Sequence, residues 1–114
     1  MKNLALGFFF LSIFFVSEVG LKINKNSVSL AIDKNTTGKE LNQYKAALLK
    51  YKINLQVSEI QRDKNNKIGY IKIEVNCNDG FKGSVSEDLM KTGNRIGFYR
   101  IYNTKGSPFG MNPL

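Results

Sequence analysis

Residues 70–81 run Tyr70-Ile71-Lys72-Ile73-Glu74-Val75-Asn76-Cys77-Asn78-Asp79-Gly80-Phe81. Ile71, Ile73, Val75 and Cys77 alternate with Tyr70, Lys72, Glu74 and Asn76, the period-two pattern of a strand with one buried and one wet face. Asn78-Asp79-Gly80 then marks a tight turn, because Asp-Gly supplies the positive φ angles that hairpin turns require. Beyond it Phe81, Gly83 and Val85 point one way, and Lys82, Ser84 and Ser86 the other. This pair predicts an antiparallel sheet that keeps one face polar.

Upstream, Arg62-Asp63-Lys64-Asn65-Asn66-Lys67 is a polar hairpin connection, and before it Ile53, Leu55 and Val57 alternate with Asn54, Gln56 and Ser58. The phase slips at Ile60, which requires a bulge or a solvent-facing Ile. Thr37-Gly38-Lys39-Glu40 fits a capping box, in which the Thr37 hydroxyl accepts from the Glu40 amide and the Glu40 carboxylate accepts from the Thr37 amide. Leu41, Tyr44, Leu48 and Tyr51 follow at helical spacing, with Lys39, Lys45, Lys50 and Lys52 mostly off that stripe. The helix is expected to end near Lys52. Earlier still, Val28, Leu30 and Ile32 alternate with Ser27, Ser29 and Ala31, and Asp33-Lys34-Asn35-Thr36 breaks the strand with turn-formers. Residues 21–26 read as a polar lead-in, and residues 87–97 as a loose connection. Residues 98–102 are a candidate last strand. Residues 103–114, with Pro108 and Pro113, read as a poorly ordered tail. The predicted fold class is α+β: a small antiparallel sheet of three to five strands with one helix on one face, in a single domain over residues 21–102.

The chain has 114 residues, 17 Lys plus Arg against 9 Asp plus Glu, no His and one Cys. The formal charge is therefore +8. Without histidine there is no Ser-His-Asp triad, no Cys-His pair and no imidazole base or zinc ligand. One cysteine excludes an intrachain disulfide and any CxxC motif.

The amino terminus reads as an export signal. Met1-Lys2-Asn3 is a short positive region, and residues 4–16 are apolar except for Ser12. Thirteen helical residues span roughly 20 Å, too short for about 30 Å of hydrocarbon. A signal-peptide core fits better, with cleavage expected between Ser17 and Gly20 and an uncleaved anchor as the alternative. The domain plan is thus a leader or anchor over residues 1–20, the α+β domain, and the tail.

Cys77 shares a face with Ile71, Ile73 and Val75 and reads as a small buried apolar residue; a disulfide between two chains is the alternative. The carboxylates each have a plain structural account: Asp79 its turn, Glu40 its cap, Glu59 and Glu74 cross-strand lysines, Glu87 and Asp88 solvent. Asn35-Thr36-Thr37 matches a glycosylation acceptor, though no disulfide framework accompanies it. No catalytic, cofactor-binding or metal-ligating set emerges, and the chain is expected not to be an enzyme. The lysines are spread over every element. Tyr70, Lys72 and Arg100, with Tyr99 and Tyr102 nearby, form a candidate basic and aromatic surface. Export makes nucleic acid an unfavoured partner for it.

Several of these segments together resemble one family. Ile32-Asp33-Lys34-Asn35-Thr36-Thr37 leads into the helix, Tyr51-Lys52-Ile53 leaves it, and residues 60–68 close on Ile71-Lys72-Ile73 and the Asn78-Asp79-Gly80 turn. This arrangement over about residues 28–85 is similar to a small extracytoplasmic domain of Bacteroidetes. That domain occurs in the carboxyl-terminal region of membrane metallopeptidases of the beta-lactam-sensor type, and as short exported proteins. Here Asp63 and Asn66 stand where the family's hairpin has Asn and Gly. The resemblance implies a peripheral sensing or interaction module. It brings no peptidase activity, which needs a His-Glu-x-x-His helix.

The sequence therefore predicts an exported, periplasmic or secreted, non-catalytic module that binds a protein or peptide partner in the envelope. Residues Phe98, Tyr99, Ile101 and Tyr102 are the candidate edge for strand addition. Electrostatic docking of a basic protein on anionic lipid or an envelope polymer is the alternative.

Overall fold

A computed structural model of the protein describes residues 19–103 and 106–113. The segment expected to act as an export signal lies, up to residue 18, outside the described residues.

The first hairpin joins β1 (Gly20–Asn24) to β2 (Ser27–Ile32), with Leu21 opposite Leu30 and Ile23 opposite Val28. Residues 21–26 are thus mostly strand rather than lead-in: Leu21 packs on the core and the β2 backbone supplies its ladder. After β2, the Asp33 side chain accepts from the Asn35 amide and the Thr36 hydroxyl, turning the chain into α1 (Gly38–Leu49).

The capping box is present as predicted, with Glu40 N–H to Thr37 Oγ1 at 3.1 Å and Thr37 N–H to Glu40 Oε1 at 2.9 Å. Leu41 and Leu48 are buried and Tyr44 packs beside them. The helix stops at Leu49, because the amides of Tyr51, Lys52 and Ile53 turn back onto the carbonyls of Leu48 and Leu49. Tyr51 therefore leaves the apolar stripe and stands 44% exposed.

Three strands follow: β3 (Asn54–Arg62), β4 (Ile68–Asn76) and β5 (Lys82–Asp88). The phase slip expected at Ile60 is real. The β3–β4 register shifts between Val57 and Glu59 and again between Ile60 and Arg62, leaving Ile60 39% exposed. The β4–β5 turn uses left-handed φ at Asn78 and Gly80 and closes with Cys77 N–H to Phe81 O at 2.9 Å.

The connection expected to be loose is ordered. Asp88 caps a short α2 (Leu89–Thr92) by accepting from the Lys91 amide at 3.0 Å, Leu89 is fully buried, and Gly93 ends the turn at φ 73°. β6 (Ile96–Ile101) and β7 (Phe109–Pro113) complete the chain.

The architecture is α+β, with every neighbouring pair of strands antiparallel. The strands form two sheets, ordered β1-β2-β6-β7 and β3-β4-β5, where the sequence pointed to one sheet of at most five strands. The extra strands are β1 and β7. The division arises because β6 returns to β2 instead of continuing the meander beside β5. Within the stretch expected to be a loose tail, residues 109–113 instead pair with 96–100 across a full ladder.

One core lies between the sheets. It takes Val28, Leu30, Ile32, Ile96 and Phe98 from the larger sheet, and Leu55, Ile71, Ile73, Val75 and Cys77 from the smaller. Leu41 and Leu48 come from α1 and Leu89 from α2. Each such aliphatic side chain stabilises by roughly 1.5–3 kcal/mol when fully removed from water. The β5 and β7 edges approach closely. Phe81 and Phe109 rings sit 5.8 Å apart, and a Cβ at Gly83 would meet Met111 Sδ at 2.9 Å.

The loops gather at two ends. At one, Tyr102 N–H bonds Asn26 O and Asn78 Nδ2 bonds Lys52 O, both at 2.8 Å. At the other, Ile68 N–H bonds Lys34 O at 2.9 Å and Arg62 Nη1 bonds Thr36 O at 3.1 Å.

Candidate functional site

The residues singled out from the sequence do not form the surfaces expected of them. Phe98, Tyr99, Ile101 and Tyr102 belong to or follow β6, which lies between β2 and β7 and has no free edge. Phe98 faces the core, between Leu30 and Met111 in register, and the Tyr99 ring lies over Gly110, where a Cβ would collide with it. The strand looked like an edge only because its second partner sits beyond a stretch rich in Gly and Pro.

Arg100 is nearly buried. Its guanidinium lies over the Phe81 ring at 4.6 Å and the Tyr102 ring at 4.5 Å, and donates to Asp79 Oδ2 from Nε at 3.0 Å and Nη2 at 2.7 Å. Nη1 donates to the carbonyls of Ile101 and Pro108. This is a fastening between sheets rather than an open stacking platform. Asp79, read as a turn residue, is also the counter-ion, a pairing no local spacing reveals. Tyr70 and Lys72 sit on the outer face of β4, in the other sheet, so the expected basic and aromatic surface is divided.

Cys77 is 4% exposed and unpaired. Burial, then the nearby Asp79 carboxylate, push its thiol up to about 11, with Arg100 pulling the other way. It is therefore neither a ready nucleophile nor reachable by a second chain. Burial likewise pushes the Tyr102 phenol up.

The structure does assemble one polar surface, the outer face of the three-stranded sheet. Register places Asn54, Asn76 and Lys82 in one row, and Gln56, Glu74 and Ser84 in the next. Lys72 lies one step further along β4, with Glu59 and Ser86 on either side, and Tyr70 follows opposite Asp88. The first two rows line an open depression of about 690 Å³, within the size range of ligand sites. Among the described residues, the side chains of Asn54, Gln56, Glu74, Lys82 and Ser84 make no hydrogen bond or ion pair, while Asn76 Oδ1 accepts from the Asn78 amide at 2.9 Å. Two amides, a carboxylate, an ammonium and a hydroxyl thus stand free on a hydrogen-bonded sheet. Such a set can hold an extended polar ligand by paired donors and acceptors. The outward alternation of these residues was legible in the sequence; their rows depend on register.

The adjacent carboxylates Glu87 and Asp88 each have a partner. Asp88 caps α2, and Glu87 Oε2 accepts from Asn94 Nδ2 at 2.7 Å. Among the described residues, no three His, Cys, Asp or Glu side chains gather as a metal-binding group. No protein-family model matches the chain, and no match is found among curated proteins or solved structures.

Proposed function

We propose that this protein is an exported, non-catalytic interaction module of a bacterial envelope, holding a protein or peptide partner on the outer face of its three-stranded sheet. The reading rests on one observation: among the described residues, five of the six polar side chains lining the depression have no hydrogen-bond or ion-pair partner. The sheet backbone that carries these groups is already ordered, so the entropic cost of holding an extended partner is confined to the side-chain rotamers. The resemblance of the turn and cap motifs to a small extracytoplasmic sensing domain supports the same reading.

The test uses the full-length chain and its Gln56→Ala/Glu74→Ala variant, both exposed positions, in parallel pull-downs from the native envelope fraction. The expected result is a partner retained by the parent and lost, by at least about tenfold, from the variant; two lost hydrogen bonds to charged or polar groups correspond to that factor or more. Equal retention by both proteins overturns the assignment of the face. Amino-terminal sequencing of the mature protein, recovered outside the cytosol, tests export.

A further inference from the structure

We infer that the end of the molecule bearing Lys25, Lys50 and Lys52 docks on an anionic lipid surface. This surface adjoins the row of Asn54, Asn76 and Lys82 on the sheet face described above but uses other side chains, and it is tested by other variants.

Two hydrogen bonds bring the relevant loops to one end: Tyr102 N–H to Asn26 O joins the β1–β2 turn to the exit of β6, and Asn78 Nδ2 to Lys52 O joins the exit of α1 to the β4–β5 turn. Lys25, Lys50 and Lys52 are all exposed there, and among the described residues none of their ammonium groups makes an ion pair or hydrogen bond. Of the other described carboxylates, Asp33, Asp63, Glu87 and Asp88 accept in turns and caps at the opposite end, Glu40 closes the capping box, and Glu59 and Glu74 lie on the strands β3 and β4. In the turns of the Lys25 end, Asp79 is the one described carboxylate, and Arg100 holds it. The positive charge of this end is thus uncompensated by its own loops.

Apolar side chains interleave with those lysines. The run is Leu49-Lys50-Tyr51-Lys52, with Leu49 60% and Tyr51 44% exposed. An exposed Leu and Tyr flanked by lysines match the chemistry of a bilayer interface, where the ring and aliphatic group enter the headgroup boundary and the ammonium groups meet lipid phosphate. A soluble polyanion would use the lysines, and a nucleic acid could also stack on Tyr51, but neither gains from the exposed Leu49, which is why lipid is the favoured partner. Each lysine near such a surface changes affinity by roughly fivefold.

The experiment titrates the full-length chain with vesicles of phosphatidylglycerol mixed with phosphatidylcholine and with vesicles of phosphatidylcholine alone. Three variants accompany it, each checked for an unchanged melting curve: Lys50→Glu/Lys52→Glu, Leu49→Ser/Tyr51→Ser, and Lys64→Glu/Lys91→Glu at the opposite end. Any contribution from residues 1–18 is common to all of them. The expected result is a preference for phosphatidylglycerol that falls by roughly 30-fold or more in the first variant, falls measurably in the second, and changes by less than about threefold in the third. Equal losses in the first and third variants, or no lipid preference in the parent, overturn the inference. So does binding that is indifferent to Leu49 and Tyr51 and abolished by soluble polyphosphate.

Discussion

Arg100 shows how one residue ties the two sheets together. It belongs to β6, yet its guanidinium bonds Asp79 in the β4–β5 turn, stacks on Phe81 and Tyr102, and reaches the Pro108 carbonyl. The Asp79 side chain is 33% exposed, so solvent weakens the ionic part of the contact. The stacking and the forked donors remain, and a lysine cannot supply them. Arg100→Ala is expected to cost about 3 kcal/mol and Arg100→Lys about 2 kcal/mol in urea denaturation, because the Asp79 carboxylate and two carbonyls lose their donor. In a double-mutant cycle with Asp79→Ala, a coupling of about 1–2 kcal/mol is expected, and additivity would show the pair contributes nothing specific. Cys77 makes the second residue-scale prediction. Its thiol is raised from 9.0 in the unfolded chain to about 11 in the fold. The folded state thus holds the proton more tightly. The associated stability is fully present below pH 9 and is lost as pH rises through 11, amounting to roughly 2–3 kcal/mol. Between pH 8 and pH 11 the parent should therefore lose stability faster than Cys77→Ala, and an identical pH dependence for the two proteins would refute the burial argument.

At the scale of elements, β7 changes the standing of everything around it. Phe109 and Met111 face the core side, Phe109 reaches Phe81 across the seam, and Gly110 accommodates the Tyr99 ring. Removing residues 107–114 would bare the β6 ladder and open the seam against β5. A loss of about 5 kcal/mol or more is expected, comparable with the whole stability of a small domain. The measurement is the denaturation midpoint of the truncated chain, and a change within about 0.5 kcal/mol would mean that the segment behaves as a tail. The other boundaries were set by local chemistry. The capping box fixes the start of α1, and the Asn78-Asp79-Gly80 turn fixes the β4–β5 hairpin. The paired register shifts in β3 follow from the slip at Ile60 and also blunt an outer edge strand. By contrast α2 is a single turn whose formation depends on burying Leu89, so its cap at Asp88 had no helical period to announce it.

For the whole molecule, a single core shared by two sheets explains why a histidine-free chain of modest size needs no disulfide. It also explains how a polar sheet face and a basic end come to adjoin on one body. Alternation, capping and turn chemistry act between residues a few positions apart, so the amino-acid sequence alone determined the α+β class, α1, the β3-β4-β5 meander and the inward or outward direction of Gln56, Lys72, Glu74 and Ser84. Pairing between distant segments is decided by which buried surfaces fit. Only the tertiary structure could place β6 between β2 and β7, join Arg100 to Asp79 from 21 positions away, and set Asn54 and Gln56 beside Glu74 and Asn76. No local pattern carries those contacts, because their free energy exists only once both sheets close on the same core.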